Sequence, residues 1–144
     1  ANFAYVHSLD RLDLAERLNE YAESYSRSLP VLLECNVSGE ESKYGWPAWD
    51  EEAWPALVED LAPVLEMGHL RVEGLMTMAP YHPDPEHSRP YFQRLRRLRD
   101  VLDKQFPDHD FPELSMGMSM DYVVAIQEGA TIVRIGTAIV GPRD

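Results

Sequence analysis

Residues 114–144 read LSMGMSMDYVVAIQEGATIVRIGTAIVGPRD. The stretch opens as a short apolar strand over PELSMGM. A small-residue turn, SMGMS, leads into a helix-like run, SMDYVVAIQEG, with Ser119 as its cap and Gly129 as its stop. A second strand, TIVRIG, follows and ends in another small-residue turn at Gly136 and Thr137. Arg134 stands in that strand, two residues before Gly136. Strand, turn, helix, strand, turn is the repeating unit of a parallel β/α fold.

The same alternation runs back to the start of the chain. FAYVHSL is a β-branched and aromatic run. DRLDLAERLNEYAESY then places Leu14, Leu18, Tyr21, Ala22 and Tyr25 at helical spacing, with Asp10 as N-cap. PVLLECNV reads as a buried strand. In DEEAWPALVEDLAPVLEM, Trp54, Leu57, Val58, Leu61 and Leu65 share a helical face; Pro55 fits a first turn, and Pro63 is expected to kink or end the helix. LRVEGLMTM is a strand, and the run from Asp84 to Phe106 is a helix with Phe92, Leu95, Leu98 and Leu102 inward. Strands are expected near 4–8, 31–37, 70–76, 113–117 and 132–136.

Five strand–helix units result, the last nearly lacking its helix. Strict alternation predicts parallel strands joined by right-handed crossovers. The strands are apolar on both faces, as sheets covered on both sides require. Over 144 residues the spacing is about 29 residues per unit, against about 31 in a (β/α)8 barrel. The expected fold is therefore α/β, with about five of the eight units of a TIM-type barrel forming one partial domain over 1–144. A doubly wound open sheet competes, but no strand is followed by a GxGxxG turn.

Composition bounds the function. Hydrophobic residues make up 44% and charged residues 26%, and the net charge is −12. That charge disfavours nucleic acid and anionic membrane. The one basic cluster, RLRRLR from Arg94 to Arg99, reads as a solvated helix face. No apolar run is long enough for a transmembrane helix, and no leader pattern is visible. The single cysteine, Cys35, lies in an apolar run and reads as a buried structural thiol, which makes the cytoplasm the expected compartment.

In parallel α/β proteins chemistry gathers at the C-terminal strand ends. Those positions hold His7 and Ser8, Asn36, Met76 and Thr77, Ser115 to Ser119, and Gly136 and Thr137. Barrel phosphates commonly sit at the loops after the last two strands. Ser119 opens a helix, where free N–H groups favour an anion. Gly136 admits close backbone approach, and Thr137 adds a hydroxyl. These are also ordinary turn residues, and spacing alone does not separate the two readings. Arg134 shares a strand face with Gly136. A guanidinium inside the barrel needs a partner, and either a structural salt bridge or a ring acceptor of a bound cofactor serves.

Four segments carry a resemblance. LSMGMS with its following aspartate, VRIGTAIVGPR, VLLECNVSGEESKYG and VEGLMTMAP are similar to the pyridoxal phosphate homeostasis protein family, the YggS/PROSC type. The similarity covers essentially all 144 residues, with the segments in the same order. It implies an alanine racemase N-terminal-domain-like barrel holding pyridoxal 5′-phosphate (PLP). It also implies a cytoplasmic protein of vitamin B6 homeostasis without catalytic turnover. By resemblance, the phosphate-facing residues are Ser119, Gly136 and Thr137. The arginine facing the pyridine nitrogen is Arg134. Asn36, Met76 and Ser115 stand around the ring.

The chain departs from the family at one point. The family's Schiff-base lysine lies at the end of its first barrel strand, and nothing here matches that segment. The chain resembles the C-terminal portion, with its first strand like the family's fourth. Its only lysines are Lys43 and Lys104. Lys104 is read as a solvated charge on an outer helix. Lys43, in GEESKYG, orders its loop or acts as a secondary amine toward PLP. Two alternatives stand beside the homeostasis reading: a PLP-dependent enzyme of racemase type, and a structural fragment that no longer binds PLP. Open strand edges at FAYVHSL and TIVRIG predict self-association, or pairing with the missing N-terminal portion.

Overall fold

Strands and helices alternate along the chain in a computed structural model that describes residues 5–41 and 44–136. The order is β1 (Val6–Leu9), α1 (Leu12–Ser24), β2 (Leu29–Asn36), β3 (Trp46–Pro47), α2 (Trp54–Leu65), β4 (Leu70–Met76), α3 (Arg89–Gln105), β5 (Glu113–Met118), α4 (Tyr122–Gln127) and β6 (Ile132–Arg134). Short 3-10 turns, Glu51–Ala53 and Pro85–Ser88, lead into α2 and α3. The strands form one sheet in the order β1-β2-β4-β5-β6, with β3 beside β2. Every pairing is parallel. The expected parallel β/α arrangement is present as part of a barrel, with β1 and β6 as its edges among the described residues.

The reason lies in the strands' two apolar faces. Along β2, Leu29, Val31, Leu33 and Cys35 join the core beneath the helices. Leu32, Glu34 and Asn36 alternate to the opposite face and are buried as well. On the helix side, Phe92, Leu95, Leu98 and Leu102 of α3 are all fully buried, as their spacing predicts. Trp54, Leu57, Leu61, Val64 and Leu65 do the same for α2.

Several local expectations are corrected. α2 runs past Pro63 to Leu65. Pro63 and Glu59, the residue whose carbonyl loses its donor, both face solvent, where water can serve that carbonyl. Arg11, not Asp10, occupies the N-cap of α1, without a side-chain cap bond; the Asp10 carboxylate pairs with Arg11 instead, at 3.1 Å. α1 ends at Ser24, which leaves Tyr25 exposed, and its buried residues are Ala15 and Ala22. The short strand β3 was not expected. It pairs with Cys35 and Asn36, beyond the point where β1 stops, and the Trp46 indole donates to the Leu9 carbonyl at 3.1 Å.

Two glycines hold layers together. Gly117 of β5 has φ +101, and an added Cβ there would lie 2.6 Å from the Ala125 Cβ of α4. Gly74 of β4 sits where β5 begins, and an added Cβ would overlap the Glu113 backbone. α4 ends as expected at Gly129. The Ala130 N–H donates to the Ala125 carbonyl (2.9 Å) and the Gly129 N–H to the Ile126 carbonyl (3.0 Å), closing the helix with a glycine at φ +99.

Candidate functional site

The C-terminal ends of β4, β5 and β6 meet at one face of the sheet, where Thr77, Ser119, Asp121, Arg134 and Gly136 come together. Arg134 is the last residue of β6. Its Nη2 donates to the Thr77 carbonyl at 2.8 Å. Because β5 lies between β4 and β6, the arginine side chain crosses β5 to reach that carbonyl. Its Nη1 is buried and has no hydrogen-bond partner among the described residues. Burial pushes the guanidinium below its ordinary pKa, while the charges of Glu34 and Asp121 draw it back up. The guanidinium is largely withdrawn from solvent, and one of its donors lacks an acceptor among the described residues.

The second cluster is the turn after β5. The Gly136 N–H donates to Ser119 Oγ at 3.2 Å, joining the loops after β5 and β6. An added Cβ on Gly136 would meet nothing within 4 Å, so space opens in front of it. Ser119 is not the cap of α4. That position belongs to Asp121, and the helix is six residues long. Asp121 instead organises the turn. One carboxylate oxygen accepts from the Met118 N–H and the other from the Ser88 hydroxyl, both at 2.8 Å. The turn therefore presents the Ser119 hydroxyl and the Gly136 backbone, with no long helix behind them.

The remaining candidates separate. Ser115 is fully buried in β5, and its hydroxyl has no partner among the described residues. Met76 is buried at the end of β4. Asn36 is committed to its own loop: Oδ1 accepts from the Ser38 N–H (3.2 Å) and the Gly39 N–H (3.0 Å), and Nδ2 donates to the Glu40 carbonyl (3.1 Å). Its amide shapes the loop after β2. Thr137 and Lys43 lie outside the described residues. Lys104 is exposed in the last turn of α3.

Cys35 is buried, and burial followed by the charge of Glu34 pushes its thiol pKa upward, which keeps it protonated and unreactive. In the basic cluster, Arg97 pairs with Glu51 (2.8 Å), Arg99 with Asp100 (3.1 Å), and Arg94 donates to the Val37 carbonyl (2.6 Å). Among the described residues no helix is long and apolar enough to cross a membrane, and no three metal-ligating side chains are grouped. A mainly apolar pocket of about 170 Å³ adjoins the site, between Met78, Tyr81, Met118 and Met120.

Sequence reasoning missed Asp121, Ser88 and the structural part played by Thr77. Asp121 carried a visible signal, an aspartate directly before an apolar helical run. Nothing local marks Ser88, because its partner lies 33 residues away.

A parallel β/α half-barrel with a polar site at its C-terminal strand ends defines a class of α/β barrel proteins that place ligands at that face. The chain belongs to the alanine racemase N-terminal domain family, whose sequence profile matches residues 2–144. It is 47% identical over 138 residues to the pyridoxal phosphate homeostasis protein of Aquifex aeolicus, covering 96% of this chain and 58% of that protein. It is 38% identical to the protein of the same name from Escherichia coli, covering 99% of this chain and 58% of the relative. The chain thus spans well under two thirds of the length of these relatives.

Among solved structures, PipY of Synechococcus elongatus with PLP bound superposes with a TM-score of 0.79 at 32% identity, covering 96% of this chain and 61% of PipY. Its form without PLP gives a TM-score of 0.85, covering 96% and 62%. The alanine racemase of Clostridium difficile shares the fold at 15% identity, with a TM-score of 0.63 over 94% of this chain and 33% of the racemase.

Proposed function

We propose that this chain carries the phosphate and ring-nitrogen half of a PLP site, in a cytoplasmic protein of vitamin B6 homeostasis that does not turn over substrate. The observation that carries the proposal is the buried Nη1 of Arg134, unpartnered among the described residues. A buried donor without an acceptor is unfavourable by about 1–3 kcal/mol. A pyridine nitrogen is an acceptor of the kind it lacks. The Ser119 hydroxyl accepts from the Gly136 N–H at 3.2 Å; a phosphate at this turn would compete for both groups, and among the described residues nothing lies within 4 Å of a Cβ added at Gly136. Buried Ser115 has a further hydroxyl donor with no partner among the described residues.

When bound, PLP supplies an electron sink. That sink is strongest when its ring nitrogen is protonated by a carboxylate partner. Arg134 cannot accept that proton and favours the unprotonated ring. The residue placed against the ring thus fits binding better than turnover. The resemblance puts the family's Schiff-base lysine in a segment that this sequence does not match. Covalent attachment at the family's position is therefore not expected of this chain, and Lys43, in GEESKYG, is the secondary amine that the sequence suggests.

Equilibrium dialysis with PLP tests the proposal on the unmutated chain and on Arg134→Met and Ser119→Ala. Saturable binding weakened by both substitutions supports it. Equal binding by all three removes the site. Borohydride reduction followed by peptide mapping locates any attached PLP. A stoichiometric label at Lys104 contradicts the assignment.

A further inference from the structure

Thr77 follows β4 and is 1% exposed. It makes three hydrogen bonds to three different strands. Its N–H donates to the Ser115 carbonyl of β5 at 3.0 Å. Its hydroxyl donates to the Cys35 carbonyl of β2 at 2.7 Å. Its own carbonyl accepts from Nη2 of Arg134, on β6, at 2.8 Å. One residue therefore ties four strands together at the end of the sheet where the candidate site lies.

The kind of acceptor matters. A carboxylate facing a guanidinium takes two N–H groups side by side and neutralises the charge. A backbone carbonyl takes one N–H and leaves the charge in place. That is the state of Arg134: one terminal nitrogen is held, and the other is buried and unpartnered. Thr77 thus aims the arginine without using up its charge. A carbonyl can aim a side chain only if it is itself fixed. The N–H bond fixes it from the β5 side and the hydroxyl bond from the β2 side. Without the hydroxyl bond, the peptide after Thr77 is free to tilt.

We infer that Thr77 is a positioning residue for the Arg134 guanidinium, and that its hydroxyl bond to the Cys35 carbonyl sets where Arg134 presents its free N–H group. The inference rests on the assignment of Arg134 to the ring nitrogen of PLP, and it names a residue that touches neither the ring nor the phosphate.

Thr77→Val keeps the side-chain shape and the N–H bond and removes only the hydroxyl; Thr77→Ser restores it. The probes are PLP, inorganic phosphate and the NMR signals of the Arg134 guanidinium. Thr77→Val is expected to weaken PLP binding about tenfold, the scale of one buried hydrogen bond, and to shift both the Arg134 signal and the absorption maximum of bound PLP. Phosphate affinity, which reports Ser119 and Gly136, should stay unchanged, and Thr77→Ser should behave as the unmutated chain. An unmoved Arg134 signal in Thr77→Val overturns the inference. If that signal moves but Arg134→Met binds PLP normally, the ring-nitrogen assignment fails while the positioning of Arg134 stands. Should Thr77→Val not fold, the unmutated chain decides: slow rotation about the Arg134 Cζ–Nη bonds supports the inference, and free rotation overturns it.

Discussion

The carboxylate of Asp121 accepts a hydrogen bond from the buried hydroxyl of Ser88 at 2.8 Å, joining the turn after β5 to the turn that begins α3. Its other oxygen holds the Met118 N–H at 2.8 Å. Hydrogen bonds to charged groups contribute about 1.5–3 kcal/mol each. Asp121 is partly exposed, so the lower end applies. Asp121→Ala is expected to destabilise the chain by about 2 kcal/mol in urea unfolding. A double-mutant cycle with Ser88→Ala should show coupling above about 0.5 kcal/mol; additive effects contradict the direct bond.

Gly136→Val separates folding from binding. An added Cβ meets nothing within 4 Å, so stability should change by no more than about 0.5 kcal/mol. Under the proposed placement of the phosphate against the Gly136 backbone, phosphate binding should be lost, because the side chain takes the anion's place. Titration with phosphate followed by the Ser119 and Gly136 amide signals reads this out. A variant that still binds contradicts the placement of the anion.

Gly74→Ala should do the reverse. The new methyl group overlaps the Glu113 backbone at the point where β4 and β5 pair. Overpacking against backbone is expected to destabilise by about 3 kcal/mol, with loss of hydrogen-exchange protection in β5. A variant of unchanged stability shows that the two strands can separate freely there.

The Tyr5 hydroxyl donates to Glu73 at 2.7 Å, and Arg71 pairs with the same carboxylate at 2.7 Å. The Tyr5 bond, then the Arg71 bond and charge, hold the Glu73 pKa below its ordinary value, against burial. A carboxylate with a lowered folded-state pKa contributes stability that is fully present above the unfolded pKa. That stability is lost as pH falls through the lowered value. Tyr5→Phe should therefore raise the Glu73 midpoint and flatten the acid limb of stability. Carboxyl NMR and urea melts from about pH 6 down to about pH 2 check both. An unmoved midpoint removes Tyr5 as the cause.

β1 and β6 are the two ends of the sheet. Each offers unpaired backbone groups along one side among the described residues, and such edges recruit other strands. The chain is expected to self-associate at micromolar concentration in sedimentation experiments. A monomer with full exchange protection of both edge strands contradicts this.

The sequence by itself determined the alternation of strands and helices, because period and composition act locally. The spacing of Phe92, Leu95, Leu98 and Leu102 predicts a helix face, and all four are fully buried. β2 was legible because its run from Val31 to Leu33 is apolar on both faces. Chain segments distant in sequence decided the rest. Asp10 gave up its cap position to an ion pair, and Ser119 gave up its own to Asp121. Asn36 had every mark of a strand-end ligand residue, yet its amide is used by the loop after it. β3 exists because Trp46 reaches the Leu9 carbonyl, 37 positions back. Thr77 joins the strand ends because Cys35, Ser115 and Arg134 converge on it, the first and last at sequence separations of 42 and 57. A local pattern fixes which backbone torsions and which faces are favourable. Which donor meets which acceptor depends on where the whole sheet brings them.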